Sequence, residues 1–159
     1  MKTLIAKTII LCSTIGLITC SAMAQTTQPM PVTNAFNAKY PTAKVKEWKM
    51  KGDTSIAMFE MNGRHYKAFY TSDGMWVKSE RNVKHLSTFP MQAQMYLKNS
   101  KFASWHIDNL AMVTTPRHNM YMVSLDNHSG NTSYESNGDN VTQDLYFTGS
   151  GRLVKADQR

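Results

Sequence analysis

The amino-acid sequence predicts an α+β fold of two tandem units, each a helix followed by a four-stranded antiparallel meander, joined in one continuous sheet with both helices on one face. A helical pattern followed by sheet-prone runs occurs twice along the chain. In addition, the stretch "FYTSDGMWVKSE", at 69–80, is echoed near the other end by "LYFTGSGRLVKAD", at 145–157. Repetition of an aromatic, turn, apolar and Lys pattern predicts that one supersecondary unit has been duplicated.

The segment 1–24 has the features of an export signal. Lysines flank its start, an apolar run follows, and Ala22-Met23-Ala24 supplies small residues where a signal peptidase reads them, so cleavage is expected between Ala24 and Gln25. The run is shorter than the about 20 apolar residues of a spanning helix, so a membrane-spanning protein is not expected. We expect a periplasmic or secreted protein. The alternative is a lipoprotein anchored at Cys20, because Leu17-Ile18-Thr19-Cys20 approximates a lipobox.

Composition excludes several classes of site. Both cysteines, Cys12 and Cys20, lie in the signal, so the mature chain would have no disulfide, cysteine nucleophile or zinc knuckle. Once the two signal lysines are removed, 16 basic and 11 acidic residues leave a net charge of +5. These charges are scattered and no nucleic-acid-binding motif accompanies them, so we expect no nucleic-acid partner.

The first unit is predicted to span 32–85, after a polar, disordered leader at 25–31. Its helix follows from the spacing of Val32, Phe36 and Tyr40, and Pro41 ends it. Four strands are predicted to follow, at 44–50, 55–61, 64–71 and 75–80. The turn at Asn62-Gly63 is the strongest hairpin signal, because a type I′ turn requires positive φ at both central residues.

The second unit is predicted to span 86–159 and to repeat this order, with a helix in "FPMQAQMYLKN" and strands at 101–107, 119–126, 143–148 and 152–156. Tyr40, Val45 and Trp48 match Leu97, Phe102 and Trp105 at an offset of 57 residues. Tyr70, Gly74, Val77 and Lys78 match Phe147, Gly151, Val154 and Lys155 at an offset of 77. We assign the difference to a polar inserted loop at about 126–141 and to an extension within 108–118.

The hairpin at Asn62-Gly63 also separates the two faces of the sheet, because it pairs Phe59 with Tyr66 on one face and Met58 with Lys67 on the other. The first face is predicted to carry the helix-covered core, which includes Phe36, Trp48, Phe59, Tyr66, Trp105 and Val123. The uncovered face is predicted to bind a partner through Met58, Glu60, His65, Lys67, Phe69, Met122 and Tyr146, with Trp76 as a further candidate whose face is not fixed by the register.

No catalytic constellation is present in the sequence. It contains no Gly-rich phosphate loop and no nucleophilic serine motif, and its five histidines share no metal-ligand spacing. We therefore expect no enzyme activity, no metal and no cofactor. Two functions remain: a binding module for a protein or peptide, with enzyme inhibition as one form of it, or a small-ligand or glycan binder that uses exposed aromatic side chains.

Several stretches resemble the PepSY-like proteins, a family of small periplasmic or secreted proteins found largely in Bacteroidota. The stretches are "YPTAKVKEW", "FPMQAQMYLKN" followed by "KFASWHI", and the repeated turns "FYTSDGMWV" and "YFTGSGRLV". The resemblance implies two α+β units that share an extended, concave sheet, as in beta-lactamase inhibitor proteins, with no enzyme activity and no cofactor. The chain departs from the pattern in its inserted loop and in Ser100-Lys101, which stand where the first unit has Pro41-Thr42.

Overall fold

The computed structural model describes residues 28–127 and 141–158. The predicted signal and most of the predicted inserted loop lie outside these ranges. The predicted leader is described only from residue 28, and its last two residues already belong to the first helix. The helices and strands are α1 (Met30–Lys39), β1 (Lys44–Lys51), β2 (Thr54–Met61), β3 (Arg64–Thr71), β4 (Trp76–Asn82), α2 (Met91–Asn99), β5 (His106–Thr114), β6 (Asn119–Asp126), β7 (Thr142–Phe147) and β8 (Leu153–Gln158), with a single 3-10 turn at Leu86–Thr88 before α2.

All eight strands form one antiparallel sheet in chain order, β1 to β8, and each strand pairs with its neighbours in sequence. The predicted α+β fold is therefore confirmed. The two units meet where β4 pairs with β5, through four residue pairs that run from Ser79 opposite Thr114 to Asn82 opposite Ala111. This register places the helix-covered residues of both units on the same side of the sheet.

Each helix covers its own half of the sheet. Val32 and Phe36 of α1 are buried with the alternate residues of β2 and β3, and the Phe36 ring meets Phe59 edge-on at 5.1 Å between centroids. Ala93 and Leu97 of α2 are buried in the same way against β5, β6 and β7. These pairs stand four positions apart on each helix, so one turn of a short helix supplies most of its contact with the sheet.

The repeated aromatic turn closes each meander against the start of its own helix. In the first unit the amide of Gly74 donates to the carbonyl of Thr71 at 3.0 Å, and in the second the amide of Gly151 donates to that of Thr148 at 2.9 Å. Both glycines have a left-handed φ, 89° and 88°. A Cβ on Gly74 would lie 2.6 Å from the carbonyl oxygen of Pro31, and one on Gly151 would lie 2.8 Å from the amide nitrogen of Ala93. Glycine is therefore required twice over, by the backbone conformation and by the close approach of the helix.

The structure corrects the predicted first strand of the second unit. Residues 101–105 form turns and a bend, and β5 begins only at His106. A β-bulge interrupts β1 between Val45 and Glu47, and the matching bulge in β5 lies between Ile107 and Asn109. The true counterpart of Val45 is therefore Ile107, at an offset of 62 residues, and the predicted offset of 57 is wrong. The predicted extension within 108–118 is likewise mostly strand, with a hairpin turn after Thr114.

The tryptophans of the two units are consequently not equivalent. Trp48 is half-buried on β1 against the α1 cluster, and its counterpart after the bulge is Leu110. Trp105 lies in the segment before β5, where it packs against the α2 cluster and meets Phe102 edge-on at 5.0 Å. The shared "F/V-x-x-W" spacing arose in two different local structures.

Candidate functional site

The sheet face opposite the two helices, here called the open face, carries the candidate site. Its register follows the predicted one, with Met58 opposite Lys67 and Glu60 opposite His65. The alternation of strand side chains then places Glu80 of β4 and Ala111 of β5 on the same face. The face divides into a depression over the first unit and an apolar cluster over the second.

The depression has a volume of about 340 Å³ and runs across β1 to β5. It is lined by residues from five strands, namely Lys46, Glu47, Met58, Phe59, His65, Tyr66, Lys67, Glu80, Asn82, Asn109 and Ala111. Charged and methionine side chains therefore share one concave surface. Such a surface offers both hydrogen-bonding groups and an adaptable apolar contact.

Two ion pairs organise the charges around this depression. At its rim, Lys46 Nζ lies 2.5 Å from Glu60 Oε2, and the hydrogen bond from Lys46 holds the pKa of Glu60 below its usual range. Towards the second unit, Lys78 Nζ lies 2.6 Å from Glu80 Oε1. Glu80 is only 8% exposed, so its charge is held in place by a neighbour on the same strand.

The apolar cluster continues the open face onto the second unit. Ala111, Val113 and Met122 are at most 4% exposed, although neither helix covers this side, and Met120 and Tyr146 pack over them. Ala111 also lines the depression, so the two parts are continuous. The open face thus presents a charged half beside an apolar half.

An aromatic ring capped by a lysine occurs at the same place in both units. Lys78 Nζ lies 4.4 Å from the ring centroid of Phe69, and Lys155 Nζ lies 5.7 Å from that of Tyr146. Each lysine also pairs with an acid two residues further along its strand, at 2.5 Å from Lys155 to Asp157 in the second unit. The repeat has therefore preserved a surface arrangement as well as a turn.

Most of the sequence-predicted candidates lie on the open face, but not together. Met58, His65 and Lys67 line the depression, with Glu60 at its rim. Phe69 and Tyr146 sit beneath their capping lysines, at separate positions. Met122 is only 4% exposed, with Met120 and Tyr146 packed against its cluster, so it presents almost no surface to a partner.

Trp76 lies on the helix side and is removed from the open-face candidates. A register shift between Phe69 and Tyr70 pairs Tyr70 with Trp76, which puts the indole on the side of α1. There its Nε1 donates to Ser79 Oγ at 2.8 Å. One extra residue in a strand reverses the face of every residue beyond it, which is why alternation counted from the turn could not fix the position of Trp76.

The sequence did not predict six of the eleven residues that line the depression. Lys46, Glu47, Glu80, Asn82, Asn109 and Ala111 were not among the candidates. Lys46 sits at the bulge of β1, and Asn109 and Ala111 belong to a strand that was placed wrongly. The pairing of β4 with β5 brings Asn109 and Ala111 beside Glu80 and Asn82, and it has no local signal comparable to a hairpin turn.

Two further features of the described ranges bear on chemistry. Within 28–127 and 141–158, no three His, Cys, Asp or Glu side chains come together as a metal site. In the same ranges no helix has the length and apolar character needed to cross a membrane.

Neither a protein-family model nor a curated protein sequence matches the chain. Several solved structures, however, match the chain. A DUF2874 family protein from Bacteroides uniformis ATCC 8492 matches with a TM-score of 0.66 and 20% identity, over 83% of this chain and 90% of that one. A protein from Bacteroides eggerthii DSM 20697, provisionally assigned to the periplasm, matches with a TM-score of 0.64 and 20% identity, over 83% and 89%. A BLIP-like protein from Bacteroides fragilis NCTC 9343 matches with a TM-score of 0.61 and 19% identity, over 83% and 86%. The chain therefore has an α+β, BLIP-like fold.

Proposed function

We propose that this protein is an exported, non-enzymatic binding module of the bacterial cell envelope that engages a protein or peptide through its open face. The observation that carries the proposal is the continuity of the open face, where a charged depression and an apolar cluster meet at Ala111 without a helix above them. Interfaces between proteins commonly combine an apolar centre with a polar rim.

The chemistry of the face supports a protein or peptide ligand. The face mixes basic and acidic side chains, namely Lys46, Lys67 and His65 among Glu47, Glu60 and Glu80. A partner must therefore present its own charges in a matching arrangement, which fixes its orientation on the face. Fixed charge patterns of this kind contribute specificity and association rate more than affinity. Met58 adds a flexible apolar contact at the centre. Inhibition of an enzyme is one outcome of such binding, and the BLIP-like structure from Bacteroides fragilis is consistent with it.

A second candidate function is the binding of a small ligand or glycan in the depression. Its volume of about 340 Å³ lies within the range of about 300–1,000 Å³ of small-molecule pockets. Glycan binding would use Phe69 and Tyr146 as stacking surfaces. Lys78 and Lys155 would then have to move off these rings. A thermal-shift screen against small molecules and glycans tests this second function, because a ligand that binds the folded state raises the melting temperature by mass action.

The test of partner binding uses a matched pair of charge reversals. Lys67→Glu changes the open face, and Lys98→Glu makes the same change on the exposed side of α2. Wild-type and variant proteins are used to capture partners from bacterial envelope extract, after circular dichroism has shown that both variants fold. We expect one or more proteins that bind wild type and Lys98→Glu but not Lys67→Glu. Equal recovery of every protein by both variants would remove the open face from the proposal.

Family membership and processing belong to the same proposal. The order of the motifs supports membership of the PepSY-like family, and the structural likeness to proteins of Bacteroides accords with it. We place the mature protein in the periplasm or outside the cell, after cleavage between Ala24 and Gln25. The intact mass of the exported protein tests this, because an acylated Cys20 would add the mass of its lipid.

A further inference from the structure

A second concave site lies on the other side of the sheet, at the C-terminal end of α1. This groove, here called the α1 groove, has a volume of about 360 Å³. Its walls include Lys39, Tyr40, Trp76, Arg81, Met112 and Thr114. Tyr66 lines both this groove and the depression of the open face, but the two sites share no other lining residue. A ligand bound in the groove would therefore leave the rest of the partner surface free.

Arg81 occupies an unusual position in the α1 groove. The register places it in one row across the helix side, between Tyr66 of β3 and Met112 of β5, and that row continues into Phe59 and Tyr121. Every other member named is apolar or aromatic. Arg81 is half-buried in this row, which means that its guanidinium has lost part of its hydration.

The described part of the chain gives Arg81 no anionic partner. Its Nη2 contacts the sulfur of Met112, which is a weak acceptor for a group with five N–H donors. No ion pair formed within the described residues includes Arg81 or Lys39, and no Asp or Glu lines the groove. Two cations therefore face a common space to which the described residues contribute no carboxylate. A half-buried guanidinium is stabilised best by a planar anion that accepts two of its hydrogen bonds.

The indole beside these cations is fixed in place. Trp76 Nε1 donates to Ser79 Oγ at 2.8 Å, and the Tyr40 hydroxyl bonds to the same Ser79 oxygen. Lys39 Nζ lies 3.5 Å from the centroid of the Trp76 ring. The groove thus combines a fixed aromatic side chain with one exposed cation, Lys39, and one half-buried cation, Arg81. This combination suits a ligand with an apolar body and an acidic head.

We propose that the α1 groove binds a small organic carboxylate. Arg81 receives the carboxylate through two parallel N–H···O hydrogen bonds, Lys39 adds a second favourable charge, and Trp76 and Met112 contact the apolar body. Phosphate fits less well, because it is strongly hydrated and leaves the indole and thioether without a partner. The carboxylate belongs either to a free aromatic acid or to the C-terminus of a peptide.

The experiment follows the indole N–H signals of the mature protein by NMR during titration with benzoate, with benzamide as the uncharged analogue of the same shape. We expect benzoate to shift the Trp76 signal saturably, to leave Trp105 unmoved, and to bind at least about tenfold more tightly than benzamide. Tighter binding of N-acetylphenylalanine than of benzoate would assign the site to peptide C-termini, and the reverse order would assign it to free acids.

Two variants distinguish recognition of the carboxylate from nonspecific binding. Arg81→Gln keeps a polar side chain but removes the charge, and it should weaken benzoate binding by about tenfold or more. Arg152→Gln, in the exposed turn before β8, loses the same charge elsewhere and should bind as wild type does. The proposal is overturned if benzoate does not saturate the Trp76 signal at millimolar concentration, if benzamide binds equally well, or if Arg81→Gln binds unchanged. In each of those cases Arg81 only extends its aliphatic stem over the core and keeps its head in water.

Discussion

Replacement of Gly74 by alanine tests whether the repeated turn is held by its contact with the helix or only by its backbone conformation. At Gly74 the new Cβ would meet the Pro31 carbonyl oxygen at 2.6 Å, with φ at +89°. Gly52 has a similarly positive φ of +57° but nothing within 4 Å, so Gly52→Ala changes the backbone conformation without the contact. Gly149 has neither a positive φ nor a neighbour, and Gly149→Ala is the second control.

The expected magnitudes follow from these two terms. A left-handed φ costs an alanine about 1–2 kcal/mol, and this cost applies to both Gly52→Ala and Gly74→Ala. The overlap with Pro31 is with backbone, which cannot move aside as a flexible side chain does, and overpacking of this kind adds about 1–3 kcal/mol. Gly74→Ala should therefore lower the free energy of unfolding by about 2–5 kcal/mol, and Gly149→Ala should leave it unchanged within about 0.5 kcal/mol.

Urea unfolding followed by tryptophan fluorescence gives the three free energies, and thermal melts check their order. For a domain of this size we expect Gly74→Ala to lower Tm by about 10 °C and Gly52→Ala by about 4 °C. Gly151→Ala, which meets Ala93 and Pro90 of the second unit, should resemble Gly74→Ala. Equal losses for Gly74→Ala and Gly52→Ala would refute the contact and leave φ as the whole reason for glycine in the motif.

Two further predictions concern buried and surface polar groups. The Tyr70 hydroxyl is buried without a hydrogen-bond partner in the described residues, so Tyr70→Phe should stabilise the fold by about 1 kcal/mol, whereas Tyr40→Phe, which removes the bond to Ser79, should destabilise it by about 1 kcal/mol in the same urea assay. If Tyr70→Phe lowered the free energy of unfolding as much as Tyr40→Phe does, the prediction that the Tyr70 hydroxyl destabilises the fold would be wrong. The depressed pKa of Glu60 means that its interaction with Lys46 is present at neutral pH and is lost as the pH falls through that lowered pKa, so carbon-detected NMR titration should show Glu60 titrating below the usual glutamate range. Lys46→Gln should raise the pKa of Glu60, and an unchanged titration in this variant would show that Lys46 is not the cause.

The fold was predictable because its signals are local. The turn at Asn62-Gly63 has positive φ at both residues, 53° and 67°, as its sequence requires, and it sets the register of β2 and β3 on both faces. The limit of the prediction is reached at the bulges, because each one breaks the alternation of side chains at a place that no turn residue marks. A bulge in β4 concealed the face of Trp76, and the spacing that Trp105 shares with Trp48 led to the wrong position for β5.

The candidate site was predictable only in its first-unit half. Met58, His65 and Lys67 belong to strands joined by a recognisable hairpin, and they do line the depression. Asn109 and Ala111 reach it through the pairing of β4 with β5, which depends on the whole sheet and not on any turn between them. The sequence also did not predict the role of Thr71 and Thr148 in the repeated turn. The hydroxyl of each accepts an amide hydrogen bond across its turn, from Met75 at 3.0 Å and from Arg152 at 3.1 Å.

The contact between Gly74 and Pro31 joins the two ends of the first repeat, and the contact between Gly151 and the start of α2 does the same in the second. Each repeat therefore holds its own helix against its own strands. The two repeats are joined through the four pairs between β4 and β5 and through side chains beside them, such as Arg81 and Met112. Duplication of such a segment supplies a complete module in one step. Growth of the sheet then requires nothing new in the sequence except a short connection from an edge strand to the next helix.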